Sequence, residues 1–308
     1  MRAQRLTRGT VGHIAAACLL AVACDGSTGP GESSPDARPI VYFRQDNAGN
    51  GAWLLYRVSA AGGAPTHLSS TGEATTFPAI SPDGSRLAFV KEGSPYGIYV
   101  ATADGSGARQ VYEGLTDHIA WSPDGSKLAF SVAGEIVVVG VDGGGADTIT
   151  SAVDVHAGYP SWSPTGRIAF STSGDIYTIT PDGSDLRLIV PGDGQQARDP
   201  TWSPDGSRLA YAWGHYTDSW IYTVDPNGND RRRVTFSSLA PGPIIAATDL
   251  GPAWAPSGRW ITFQREHSVC TAPPQCQQRY DVFIVRTDGG DLRNLTQGTP
   301  WGGVRPSW

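Results

Sequence analysis

From residue 39 onward the chain is written in short runs of β-branched and aromatic residues, each ended by a turn signal. No stretch carries the three-to-four-residue spacing of an amphipathic helix. One run recurs with its turn nearly letter for letter. Phe77-Pro-Ala-Ile-Ser-Pro-Asp-Gly-Ser-Arg-Leu-Ala-Phe89 is followed by His118-Ile-Ala-Trp-Ser-Pro-Asp-Gly-Ser-Lys-Leu-Ala-Phe130. Looser copies begin at Tyr159, Asp199 and Gly251, and a partial one closes the chain at Arg305-Pro-Ser-Trp308. Taking Ile80, Trp121, Trp162, Trp202, Trp254 and Trp308 as equivalent, the spacings are 41, 41, 40, 52 and 54 residues. A period near forty with strand-like text predicts a radial or stacked array.

A second phrase follows each first one, as in Ile98-Tyr-Val-Ala-Thr-Ala-Asp-Gly105 and Ile221-Tyr-Thr-Val-Asp-Pro-Asn-Gly228. In Ser-Pro-Asp-Gly, proline presets the first central turn position and glycine supplies a positive φ. The later Asp-Gly or Asn-Gly turns a second hairpin. Each unit therefore reads as four strands. Strand a ends at the tryptophan, b is Leu-Ala-Phe-like, c is Ile-Tyr-x-Val-like, and d is a closing run such as Arg293-Asn-Leu-Thr296. The tryptophans are expected between neighbouring sheets, where their large apolar surface is buried. Pro39 to Phe43, Trp53 to Val58 and Pro65 to Ser69 supply strands b, c and d, and Val304 to Trp308 supplies the missing strand a. The prediction is an all-β fold, a six-bladed β-propeller over residues 39–308. Its ring is closed by the C-terminal strand a pairing with N-terminal strands b–d, which removes the open edge.

Residues 1–23 are different. Arg2, Arg5 and Arg8 precede a mostly apolar run from Val11 to Ala23, too short to span a bilayer comfortably, and small residues follow. This reads as a secretory signal peptide of the lipoprotein type, because Leu20-Ala-Val-Ala-Cys24 resembles a lipobox, with Cys24 as the lipid attachment residue. Ordinary cleavage near Ala23, with secretion and a free Cys24, is the alternative. Residues 24–38, rich in Gly, Ser and Pro, read as a flexible tether. The expected address is the periplasmic side of a bacterial cell envelope. Losing the three leader arginines leaves 20 basic against 29 acidic residues, a net charge of −9. That balance argues against nucleic-acid binding, which needs a basic footprint. Cys270 and Cys276 lie in an expected long loop from Glu266 to Tyr280 and are expected to pair in an oxidising compartment. Such a small ring contributes about 2 kcal/mol.

The tight a–b and c–d turns share one face. The b–c and d–a loops share the other, and there the copies differ, so binding is expected on the variable face. The residue three before each tryptophan or its equivalent forms a ring of candidates at the expected channel mouth: Phe77, His118, Tyr159, Asp199, Gly251 and Arg305. Trp213, Tyr216 and Trp301 are further candidates on loops. The alternative for all of them is plain loop and rim packing. Nucleophile-elbow, His-Glu-x-x-His and phosphate-loop motifs are missing from the sequence, so no catalytic residue is expected and the reading leans away from an enzyme. His118, His156, His215 and His267 all map to the variable face. If they converge they hold one divalent metal; if not, they are scattered loop histidines, and no cofactor is expected.

The phrase Trp-Ser-Pro-Asp-Gly-Ser-Arg-Leu-Ala-Phe/Tyr followed by Ile-Tyr-x-x-x-x-Asp-Gly resembles the WD40-like PD40 repeat of TolB-like propellers. Trp202 to Tyr211 with Ile221 to Gly228 is among the best copies, while Ser163-Pro-Thr-Gly166 and Ala255-Pro-Ser-Gly258 depart at the aspartate. The resemblance implies a periplasmic, non-catalytic module that binds an envelope protein or peptide, here as a lipid-anchored monomer. In that family an α/β domain precedes the propeller; residues 25–38 leave no room for one, and a lipid anchor is expected in its place. The chain is also similar to oligogalacturonate lyases, propellers whose top-face histidines hold a metal. That similarity implies the alternative of a metal-dependent polysaccharide lyase.

Overall fold

The structure, a computed structural model, describes residues 38–45, 53–68, 75–151, 156–215, 218–236, 247–272, 275–296 and 304–308. These residues form 24 strands and no helix. The expected leader, Cys24 and the tether up to residue 37 lie outside them, as do Tyr216 and Trp301.

The strands group in fours, antiparallel, in the order a-b-c-d. The first group joins Val304–Ser307 to Pro39–Gln45, Trp53–Ser59 and Thr66–His67, so the last strand of the chain pairs with the first. The second is Thr75–Ile80, Arg86–Lys91, Gly97–Thr102 and Arg109–Glu113. The third is Asp117–Trp121, Lys127–Val132, Glu135–Gly140 and Ala146–Thr148. The fourth is Gly158–Trp162, Ile168–Ser171, Ile176–Ile179 and Arg187–Val190. The fifth and sixth run Gln196–Trp202 to Arg232–Arg233 and Ala247–Trp254 to Arg293–Asn294. A single parallel contact, Ser219 opposite Thr248, joins these two into one eight-stranded sheet.

The middle strands are buried on both faces, with four consecutive buried residues in each of Arg86–Lys91, Lys127–Val132 and Glu135–Gly140. The core is six apolar clusters, each shared by two consecutive groups, and the sixth group shares its cluster with the first. The tryptophans sit in these seams as expected. Trp121 Nε1 donates to the Ala79 carbonyl (2.8 Å) and Trp254 Nε1 to the Thr201 carbonyl (3.1 Å), each reaching the preceding group's first strand.

The Ser-Pro-Asp-Gly turn is held by its own polar residues. The Ser122 hydroxyl donates to Asp124 Oδ1 (2.6 Å), the Ser126 amide donates to the same oxygen (3.0 Å), and Gly125 takes φ +67°. The Ser122 hydroxyl, with the Ser126 amide and hydroxyl behind it, brings the Asp124 carboxyl down to about 2. In a carbon-detected NMR titration Asp124 is expected to stay ionised at pH 3. Ser122→Ala should move its midpoint back towards the ordinary carboxylate range.

Two expectations change. The long loop over 266–280 is instead a hairpin: Trp260–Ala272 and Gln275–Arg286 pair nearly residue for residue, and the register sets Cys270 opposite Cys276. Val269, Thr271 and Tyr280 are strand formers, so the text of strands b and c simply continues. The sequence also reads the arginine run 231–233 as edge charge on an outer strand d, and the structure gives each of the three a neighbour. Arg231 lies over Trp213 (4.4 Å), Arg232 pairs with Asp230 (2.8 Å), and Arg233 lies over Trp220 (4.5 Å).

Candidate functional site

Each first strand carries one extra residue relative to its neighbour. In the second group, Thr76 faces Val90 but Ala79 faces Ala88, and the same bulge recurs in all six groups. Within it sits the candidate ring position, always left-handed: Phe77 +47°, His118 +47°, Tyr159 +57°, Asp199 +53°, Gly251 +57° and Arg305 +52°. Proline follows five of the six and disfavours the right-handed helical region before it. Five of these positions carry a side chain where glycine is the easy choice, at a cost of roughly 1–2 kcal/mol each. The strain turns all of those side chains inward.

They meet. The Phe77 and His118 rings are 4.3 Å apart between centroids, and His118 and Tyr159 are 3.7 Å apart. Arg305, brought by the last strand, extends its Nη2 to within 3.4 Å of the Tyr159 hydroxyl, three groups away, and lays its guanidinium against that ring at 4.8 Å. Its Nη1 lies 2.9 Å from Asp199 Oδ1. The other oxygen of Asp199 accepts from the Gly251 amide (2.9 Å), and the Arg305 amide donates to Gln264 Oε1 (3.3 Å). The six positions thus form a partition across one end of a 610 Å³ cavity. From there the cavity wall follows the six first strands to the turn prolines Pro82, Pro123, Pro164, Pro204 and Pro256. The sequence led us to expect an open mouth at these residues. Instead their own side chains occupy it, because the bulge aims them at one another.

Burial and charge set the protonation states. Burial pushes the Asp199 carboxyl up, but the Arg305 guanidinium overrides it and holds the group below the usual carboxylate range. Burial pulls the His118 imidazole down and Arg305 adds to this; the bond to Asp117 opposes but does not cancel it. His118 is therefore neutral at pH 7, and its Nε2 is buried with no hydrogen-bond partner. Burial raises the Tyr159 hydroxyl, with Asp199 reinforcing the effect.

Gly251 sits close against Arg305. A Cβ there would lie 3.2 Å from Arg305 Cδ. Gly251→Ala is expected to lose about 1–2 kcal/mol through the left-handed backbone, plus the displacement of Arg305. A urea titration reads this as a lower midpoint at unchanged slope.

The other candidates are dispersed. Trp213 lies in a strand rather than a loop, half-buried against Tyr222 (5.6 Å) and capped by Arg231, so rim packing accounts for it. His215 Nε2 lies 3.0 Å from Gln195 Nε2. His267 is in the sixth group, 3.5 Å from Asp281. His156 is exposed beside Gly134 and shares a second pocket with His118. Among the described residues no group of three or more His, Cys, Asp or Glu is placed to hold a metal ion. The four histidines do not converge, so their set does not fit one shared ion.

Two features had no place in the sequence-based expectation. One is the Asp117 and Leu115 corner of that second pocket. The other is a buried row in the sixth group, where the register sets Asp249, Arg265 and Asp281 side by side. A charged Arg265 two residues past the apolar Phe263, on the same face of the strand, is the signal that would have pointed to the row.

The TolB beta propeller domain model matches residues 90–301. A search of curated proteins finds no match. Among solved structures the chain is similar to TolB from Acinetobacter baumannii, at 19% identity and a TM-score of 0.68, covering 89% of this chain and 67% of that one. It is also similar to a putative TolB from Agrobacterium tumefaciens, at 20% identity and a TM-score of 0.64, covering 86% and 90%. An oligogalacturonate lyase from Vibrio parahaemolyticus aligns at 16% identity and a TM-score of 0.51, covering 84% and 74%. At these identities the likeness is one of fold.

Proposed function

The chain belongs to the TolB beta propeller domain family, and on that footing we propose that it is a non-catalytic binding module of the bacterial envelope, recognising a protein or peptide through its variable loop face. In this reading the six groups of strands are six blades. The pairing of Val304–Ser307 with Pro39–Gln45 and the core shared by the sixth and first groups support a closed ring. The leader is removed, Cys24 carries the lipid, residues 24–38 tether a monomeric propeller on the periplasmic side, and Cys270 and Cys276 form a disulfide at the hairpin tip.

One observation carries the binding assignment. The same strained backbone position bears six different residues, gathered at the loop-face end of the first strands, while the rest of the scaffold repeats. Strain kept at one level of a repeated scaffold, with the side chain free to vary, is the mark of a site rather than of packing.

The test is photo-cross-linking in cells of the source organism. A cross-linking residue replaces Leu115 on the loop face or Ser207 on the turn face. A specific protein adduct from position 115 and none from 207 is the expected result. Adducts from 207 alone, or from neither, would contradict recognition through the loop face.

A further inference from the structure

The second pocket, of about 440 Å³, lies between the third and fourth groups on the loop face and shares His118 and Tyr159 with the partition. Among the described residues no lysine or arginine lines it. With His118 neutral, the fixed charge in its wall is the Asp117 carboxylate, whose side chain is 50% exposed. Oδ1 of Asp117 is engaged, accepting from the Ser131 hydroxyl and lying 3.1 Å from His118 Nδ1. Among the described residues Oδ2 accepts no hydrogen bond. Beside it Leu115 stands 77% exposed, the most exposed large apolar residue among those described. A half-exposed carboxylate oxygen next to an exposed aliphatic side chain matches an alkyl stem ending in a cation.

We propose that this pocket receives a lysine or arginine side chain of the protein partner, with its stem along Leu115 and its head group on Asp117 Oδ2. The proposal rests on the reading that the loop face recognises a protein, and it adds the chemistry of one anchor. An acidic chain draws basic partners towards it. The Ala133-Gly134 turn, with Ala133 at φ +51°, forms part of the pocket wall.

The test uses Nα-acetyl-lysine methylamide and its uncharged counterpart, Nα-acetyl-norleucine methylamide, titrated against the 15N-labelled chain. The lysine probe should shift the amides of Thr116, Gly134 and Gly158 saturably, with a dissociation constant on the order of 1 mM. The norleucine probe should bind about tenfold more weakly. Asp117→Asn should erase that difference. Leu115→Ala, at an exposed position that leaves the fold intact, should weaken both probes. Equal binding of the two probes, shifts confined to other residues, or no shift up to about 20 mM would overturn the proposal. The cross-linking experiment reports separately. A partner captured at position 115 as well by Asp117→Asn as by the parent chain leaves loop-face recognition standing and removes the basic anchor.

Discussion

Replacing Asp249 with asparagine, or Arg265 with methionine, is expected to cost about 3–5 kcal/mol of stability. The midpoint of thermal unfolding should fall by on the order of 10 °C. Both side chains are fully buried, and they pair through two bonds, Nε to Oδ1 at 2.6 Å and Nη2 to Oδ2 at 2.8 Å. The guanidinium lies against the Phe263 and Phe283 rings, 5.3 and 5.0 Å from their centroids. Removing one member unbalances a buried row that also holds Asp281 and leaves the other's charge without its bonded partner. Replacing both, Asp249→Leu with Arg265→Met, should recover most of the loss, because the desolvation of two ions disappears with them. Circular dichroism melts of the two single variants and the double check this. A double variant no better than the singles would show that the pair holds the strands by shape rather than by charge.

The second large effect belongs to the partition. Arg305→Met leaves the Asp199 carboxylate, whose side chain is 5% exposed, without its cation. The expected loss at pH 7 is again about 3–5 kcal/mol, and it should depend on pH. In the parent chain the folded-state value for Asp199 is depressed, so its contribution is complete above the unfolded carboxylate value and is lost as pH falls through the depressed one. In Arg305→Met the largest effect opposing burial is gone and the Gly251 amide bond is left against it, so the value is expected to move up and the group to protonate at higher pH. The gap between the two proteins should therefore be widest near neutrality and close as the solution is acidified. Urea unfolding at several pH values reads this directly; a gap independent of pH would assign the loss to packing of the Arg305 stem.

Much of the architecture was legible because hairpins make specific demands. Ser-Pro-Asp-Gly needs a hydroxyl, a preset φ, a carboxylate and a glycine, and Ser122 and Asp124 show why each letter is there. The tryptophans could be assigned to the seams because a large ring at a fixed step from a turn has one place to go. The ring position was also visible, as the residue three before each tryptophan. Its geometry was not, because the bulge adds a residue without altering the text, and nothing local to His118 announces Tyr159 at 3.7 Å. Counting histidines could not decide between a shared ion and scattered positions for the same reason. His215 and His267 lie on the same face as His118, but their own neighbours, Gln195 and Asp281, hold them elsewhere. Arg265 ends strand b at the place held by Lys91, Val132, Thr172 and Trp213 in other copies. The long hairpin carries the sheet beyond it and turns an edge residue into a buried one.

The central claim is that one repeated strand position gathers its differing side chains into a single partition. Phe77, His118 and Tyr159 are each 41 residues apart in the chain, and they touch only if that claim holds. A NOESY spectrum of protein labelled selectively at its aromatic rings tests it most directly. The account predicts strong inter-ring cross-peaks from His118 to both Phe77 and Tyr159. Their absence, in a sample that still shows the Phe89–Tyr99 contact within one sheet, would contradict it.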